Sequence, residues 1–203
     1  MFRFLLGGPV QDFSDQGAAA LRDPDVSAML VVDISDVKRL GNLADSVRHA
    51  TVPRFCIDHH IPSDEPPAEV IVADTRASAT GELVFDLAQV LELPIDMETA
   101  TALYIAILTD TGGFRFSNTT PRVHAIAGQL LAFGVDPELM YRRVYASQSP
   151  GRVRLLAEAL QTLGVDESIG LSWLSLTAGA KERYHVTSEE MDGIVEQIGR
   201  AHV

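Results

Sequence analysis

Three short apolar runs, each stopping at an aspartate, constrain this chain more than any other feature. Ala28–Val32 ends at Asp33, Arg54–Ile57 at Asp58 and Glu69–Ala73 at Asp74. Apolar, β-branched runs cut off by polar residues read as buried strands that emerge at the edge of a sheet. Between the first two, Ser35-Asp36 opens a pattern in which Val37, Leu40, Leu43, Ala44 and Val47 recur at helical spacing. Asp36 therefore reads as an N-cap or first-turn acid rather than a ligand. Strand, helix and strand at this spacing predict a right-handed crossover in a parallel sheet. Asp33 and Asp58 should then reach the same edge, which is where ligands sit in open α/β sheets. Asp74 is the weaker candidate, because Asp after a strand is a common turn residue. The expected fold class is α/β, a parallel sheet flanked by helices, followed by the start of a second, smaller α/β domain.

The remaining elements follow the same periodicities. Phe2–Leu6 reads as a short strand, and the polar stretch from Gln11 to Asp25 holds one helical turn. Ala79–Leu91 reads as an amphipathic helix with Leu83, Leu87, Val90 and Leu91 as its buried stripe. Met97–Leu108 is almost wholly apolar and predicts a helix buried on most sides. It delivers Thr109-Asp110 into Gly112-Gly113, an unusual ending, since an acid is unfavourable at a helix C-terminus and glycines permit close approach to a ligand. The plainer alternative there is a glycine-terminated helix with Asp110 in solvent. Helices are expected over Thr120–Phe133, Pro137–Tyr145 and Arg152–Leu163, and a strand over Ile169–Leu176. A last helix, Val186–Ile198, is capped by Thr187 or Ser188 with Glu190 as partner. These place a first domain at 1–148, a linker helix at 149–166 and a second domain from 167 to 203.

Composition narrows the function. No apolar run in the 203 residues approaches the ~20 a membrane helix needs. A lone cysteine, Cys56, excludes an intrachain disulfide framework and fits a reducing cytoplasm. A net charge of −12 argues against binding long duplex nucleic acid, which depends on many Lys/Arg–phosphate contacts. It leaves a short phosphorylated substrate open, because bound divalent cations reverse the sign locally. There is no nucleophile elbow, Walker loop or dinucleotide-binding glycine motif.

What remains is Asp58-His59-His60 with Asp33 and Asp110. Taken alone, an Asp-His-His triplet favours a capping acid followed by surface histidines; the two further acids overturn that reading. Carboxylates with imidazole suit Mn²⁺, with Mg²⁺ or Co²⁺ open, and the absence of thiolate partners argues against structural zinc. Two such ions sharing a carboxylate can activate water for attack on phosphorus.

Val31-Val32-Asp33-Ile34-Ser35-Asp36-Val37-Lys38-Arg39-Leu40-Gly41, Cys56-Ile57-Asp58-His59-His60 and Thr109-Asp110-Thr111-Gly112-Gly113-Phe114-Arg115-Phe116-Ser117-Asn118 resemble three successive motifs of the DHH phosphoesterase family. The nearest likeness is to its bacterial oligoribonuclease branch, which also removes phosphate from 3′-phosphoadenosine 5′-phosphate. The resemblance implies a metal-dependent phosphoesterase acting on short oligonucleotides or nucleoside bisphosphates, and it leaves a homodimer open. It implies Asp33, His59 and Asp110 as metal ligands and Asp58 as the acid that orients the histidine pair. It also implies that His60 contacts the scissile phosphate and that Arg115 faces substrate. Asp58, His59 and His60 form the catalytic core on this reading.

Two family features have no match. Nothing before Asp33 supplies a His-x-x-x-Asp-x-Asp run: Asp12, Asp15 and Asp23 lack the histidine and the strand. The C-terminal Gly-Gly-Gly-His motif is also missing. The expectation is a piece of a longer protein, with Ile198–Val203 reading like translated sequencing adapter. Two other readings stay open: a manganese pyrophosphatase or exopolyphosphatase, and an inactive fragment that only binds metal or nucleotide. His49, His124 and His185 match no motif and read as surface residues.

Overall fold

The computed structural model describes residues 26–191 together with Leu5 and Ile194. Three strands, β1 (Met29–Val32), β2 (Arg54–Asp58) and β3 (Val70–Ala73), form a sheet in the order β1-β2-β3 with both pairs parallel. The register sets Val32 against Ile57 and Asp58 against Ala73. Ladder bonds continue one residue further, from Asp33 N–H to Ile57 O at 3.0 Å and from Asp74 N–H to Asp58 O at 3.2 Å. Three aspartates therefore leave the sheet at one edge, as the interrupted apolar runs predict.

The segment between β1 and β2 is not one helix. A 3₁₀ helix, Val37–Leu43, gives way to α1 (Ala44–Arg48) through Gly41, whose φ of 55° and ψ of −125° are open to glycine. The apolar spacing survives the break: Val37, Ala44 and Val47 pack with Met29 and Val31 in one buried cluster. Asp36 caps the 3₁₀ helix and accepts from Lys38 N–H at 2.8 Å.

Four helices follow: α2 (Thr80–Val90), α3 (Met97–Asp110), α4 (Pro121–Leu131) and α5 (Pro137–Tyr141). The stripe expected to bury α2 is the wrong face. Leu87, Val90 and Leu91 are exposed, Leu83 is half-buried, and the buried positions are Thr80, Gly81, Glu82 and Phe85. The cause is close helix contact: a Cβ on Gly81 would sit 2.9 Å from the Ala106 Cβ of α3. A glycine carries no hydropathy signal, so periodicity does not reveal this close contact. Helix α3 buries Ala100, Leu103, Tyr104, Ile105, Ile107 and Leu108, and α4 starts with Pro121 behind the Thr120 cap.

The chain divides between Tyr141 and Arg142 into two compact units. The second unit opens with a π-helical turn, Arg142–Ala146, so the helix expected over Pro137–Tyr145 is not regular. It continues with α6 (Pro150–Gln161), an antiparallel pair β4 (Gly164–Asp166) and β5 (Leu171–Trp173), and α7 (Ala180–Arg183). The strand expected over Ile169–Leu176 shrinks to three residues. Its partner β4 begins at Gly164, which reads as a break but stands opposite Trp173, where any side chain would meet the indole. Leu155, Ala159, Ala180, Val186 and Ile194 form this unit's core. Thr187 and Glu190 cap each other: Thr187 N–H donates to Glu190 Oε2 at 2.8 Å, and Glu190 N–H to Thr187 Oγ1 at 3.3 Å.

Several expectations lie outside the described residues. These are the Phe2–Leu6 strand apart from Leu5, the turn within 11–25 with Asp12, Asp15 and Asp23, the last helix beyond Met191 apart from Ile194, and the Ile198–Val203 tail.

Candidate metal centre

β1 and β2 end side by side, and this brings the first donors together. Asp33 takes a left-handed conformation, φ 64°, as the chain leaves β1. Aspartate tolerates that region better than most residues. Its Oδ1 accepts a hydrogen bond of 2.7 Å from Thr80 Oγ1, at the start of α2. Asp110 arrives from the other direction as the last residue of α3.

His59 lies between these two acids. Its Nδ1 stands 3.3 Å from Ala77 O, and a carbonyl can only accept, so the ring proton is on Nδ1. In the neutral ring the lone pair is then on Nε2. Nε2 is 3.7 Å from Asp33 Oδ1 and 3.6 Å from Asp110 Oδ2. Two donors sharing a first-row divalent ion at ~2.1 Å each can stand at most ~4.2 Å apart. Both separations fall inside that limit, so His59 can share a cation with either acid. Asp33, Asp58, His59 and His60 also present donor atoms within 4.8 Å of one another.

Asp58 has a different position. It is fully buried, and its Oδ1 accepts from His60 N–H at 3.0 Å and from His60 Nδ1 at 2.6 Å. Its Oδ2 has no hydrogen-bond partner among the described residues. Burial pushes the carboxyl up, but the His60 N–H, the His60 ring and the His59 N–H together hold it below its ordinary value. Asp58 thus orients the His60 ring, while His59 is oriented by Ala77. The two rings meet edge to face, with centroids 4.4 Å apart. His60 is the more exposed of the pair, and its Nδ1 lies 3.8 Å from Asp33 Oδ1.

Burial leaves one of the acids short of counter-charge. Burial raises the pKa of Asp110, with the Asp33 charge adding to it and His59 opposing it. A divalent ion would remove that penalty and favour the ionised pair.

The turn after Asp110 is built for close packing. Gly112, Gly113 and Phe114 all have positive φ, at 56°, 71° and 63°. A side chain on Gly112 would run into the Phe116 ring. Arg115 is exposed on this turn and donates Nε–H to Gly112 O at 2.7 Å.

Other candidates separate cleanly. Asp74 pairs with Arg76 at 2.9 Å, which holds its carboxyl down at about 2. His49, His124 and His185 are exposed, His124 stacking on Phe114 at 5.2 Å. Sequence reasoning missed Ala77, Ser78 and Thr80, and it took in Asn118 only as the end of a motif, with no role of its own. A main-chain carbonyl carries no residue signature, and Thr80 reads simply as the start of a helix.

Several known proteins resemble this chain over most of its length. Residues 7–107 match the model of the DHH family, N-terminal domain; the stretch includes Asp33 and Asp58-His59-His60 and stops before Asp110. The bifunctional oligoribonuclease and PAP phosphatase NrnA of Thermus thermophilus is 39% identical over 184 residues, 86% of this chain and 51% of that protein. A protein of the same name from Bacillus subtilis is 25% identical over 177 residues, 84% of this chain and 54% of that one. The crystal structure of an exopolyphosphatase-related protein from Bacteroides fragilis matches with a TM-score of 0.79 at 27% identity, over 85% of this chain and 51% of that one. The chain spans about half the length of these relatives. It belongs to the DHH family, whose N-terminal domain it carries.

Proposed function

We propose that this chain carries the metal-binding site of a phosphoesterase acting on short oligonucleotides or nucleoside bisphosphates, with Mn²⁺ as the working ion. The observation that carries the reading is His59 Nε2, held in one tautomer between Asp33 and Asp110 at 3.7 and 3.6 Å. Asp33, His59 and Asp110 would hold the ion. Divalent ions in such a site supply an activated water and counter-charge for phosphoryl oxygens. Asp58 holds the His60 ring by Nδ1, which leaves Nε2 as the ring atom that can engage a phosphoryl oxygen. When protonated, that nitrogen donates to the developing negative charge. Arg115, exposed on the turn after Asp110, gives a fixed positive charge for a second phosphate.

The relatives' names support the substrate class, since NrnA of Thermus thermophilus is described as both oligoribonuclease and PAP phosphatase. The chain's acidity supports a small substrate. Among the described residues, no helix is long and apolar enough to cross a membrane.

The test is hydrolysis of a diribonucleotide with Mn²⁺, comparing the wild type with Asp58→Ala and Asp110→Ala. Losses of about 10- to 100-fold or more in kcat/KM are expected for each, in line with loss of a metal ligand at Asp110 and of the group that orients His60 at Asp58. Undiminished turnover in both variants refutes the site. A second reading, pyrophosphate or polyphosphate hydrolysis, is favoured by the Bacteroides fragilis neighbour. Pyrophosphate cleaved faster than the dinucleotide would select it.

A further inference from the structure

We propose that Ser78 and Asn118 form a clamp that positions two metal donors at once and couples them to the third. This rests on the reading of Asp33, His59 and Asp110 as a shared cation site. The segment Ala77–Thr80 is buried throughout, from 0% to 7% exposed. Its first residue fixes His59 through the Ala77 carbonyl, and its last fixes Asp33 through the Thr80 hydroxyl. A shift of this one segment therefore moves both donors.

The segment is held from the turn that follows Asp110. Ser78 Oγ donates to Asn118 O at 2.5 Å, and Asn118 Nδ2 donates back to Ser78 O at 3.0 Å. The same Nδ2 donates to Asp110 O at 3.1 Å. Both acceptors are carbonyls, so only the amide nitrogen can make these bonds and the orientation of Asn118 is determined. One amide group thus bridges the backbone of the acid Asp110 and the segment that holds His59 and Asp33. A second brace supports it: Ser78 N–H donates to the buried Glu82 Oε2 at 2.9 Å, and Glu82 Oε1 pairs with Arg122 Nε at 2.9 Å. Ser78 and Asn118 are positioning residues, since each acts through the main chain that carries the donors.

Groups that orient metal ligands typically contribute about 10- to 100-fold to metal affinity. The measurement is Mn²⁺ binding by this chain, followed from the electron paramagnetic resonance of the free ion. Asn118→Ala and Ser78→Ala should each weaken binding by about tenfold or more. Thr80→Val should do the same, while Thr80→Ser, which keeps the hydroxyl, should bind as wild type. Because clamp and hydroxyl act through one segment, Asn118→Ala with Thr80→Val should lose less than the product of the single losses.

A purely architectural role predicts otherwise. The metal-free unfolding midpoint would fall while the folded variants bind Mn²⁺ with wild-type affinity, and that result overturns the clamp. If Asn118→Ala does not fold, Ser78→Ala decides alone, since it removes one bond of the three. Failure of the underlying reading looks different: a wild-type chain that takes no Mn²⁺, or one whose binding is unchanged by Asp110→Asn, rejects the shared site and the clamp with it.

Discussion

Asp58 shows how a buried carboxylate can be committed to a neighbouring ring. It is wholly buried, accepts two hydrogen bonds from the residue two positions on, and keeps its carboxyl below the ordinary range. The sign of its effect on stability follows. A carboxyl whose folded pKa lies below its unfolded value contributes stability above the unfolded value and loses it as pH falls through the folded one. Replacing Asp58 by Asn should therefore flatten the acid limb of the stability curve below about pH 4, measured by urea denaturation at several pH values. An unchanged acid limb would show that Asp58 titrates as in the unfolded chain. The acids themselves were legible in the sequence: Asp33 and Asp58 by ending apolar runs, Asp110 by ending a buried helix in glycines. What holds them was not. Thr80 lies 47 positions from Asp33 and Asn118 lies 40 from Ser78, and no local pattern records such pairings.

At the scale of elements, α2 shows where periodicity misleads. Apolar residues at helical spacing mark Leu83, Leu87, Val90 and Leu91, yet three of the four are exposed. The helix instead turns its small N-terminal residues toward α3, with Gly81 against Ala106 and Leu103. Close backbone approach and the need to deliver Thr80 to Asp33 set this orientation. Gly81→Val should cost about 1–3 kcal/mol through overpacking, whereas Val90→Lys should stay within about 0.5 kcal/mol. Chemical denaturation of both variants checks this, and the reverse order would restore the stripe read from the sequence. Strand positions were more legible than helices because the edge acids mark their ends. The helix before β2 was misread as continuous, since nothing in its apolar spacing reveals the backbone turn at Gly41.

For the whole molecule, the parallel sheet was expected from the crossover spacing, and it is present. Its consequence is functional: parallel strands bring the acids that follow them to one edge, so residues far apart in sequence meet. The second unit was less legible because its strands are three residues each, too short for an alternation to register. Charge acts at this scale as well. A chain of net charge −12 repels phosphates, and its site places carboxylates of Asp33 and Asp110 around one imidazole. Such a site can meet an anionic substrate only when cations have reversed its sign. The most direct test of this account is a crystal of the chain soaked in Mn²⁺ and measured at the manganese absorption edge. The account predicts an anomalous peak bonded to His59 Nε2 and to the carboxylates of Asp33 and Asp110. Ordered manganese elsewhere, with those three side chains left unligated, would contradict it.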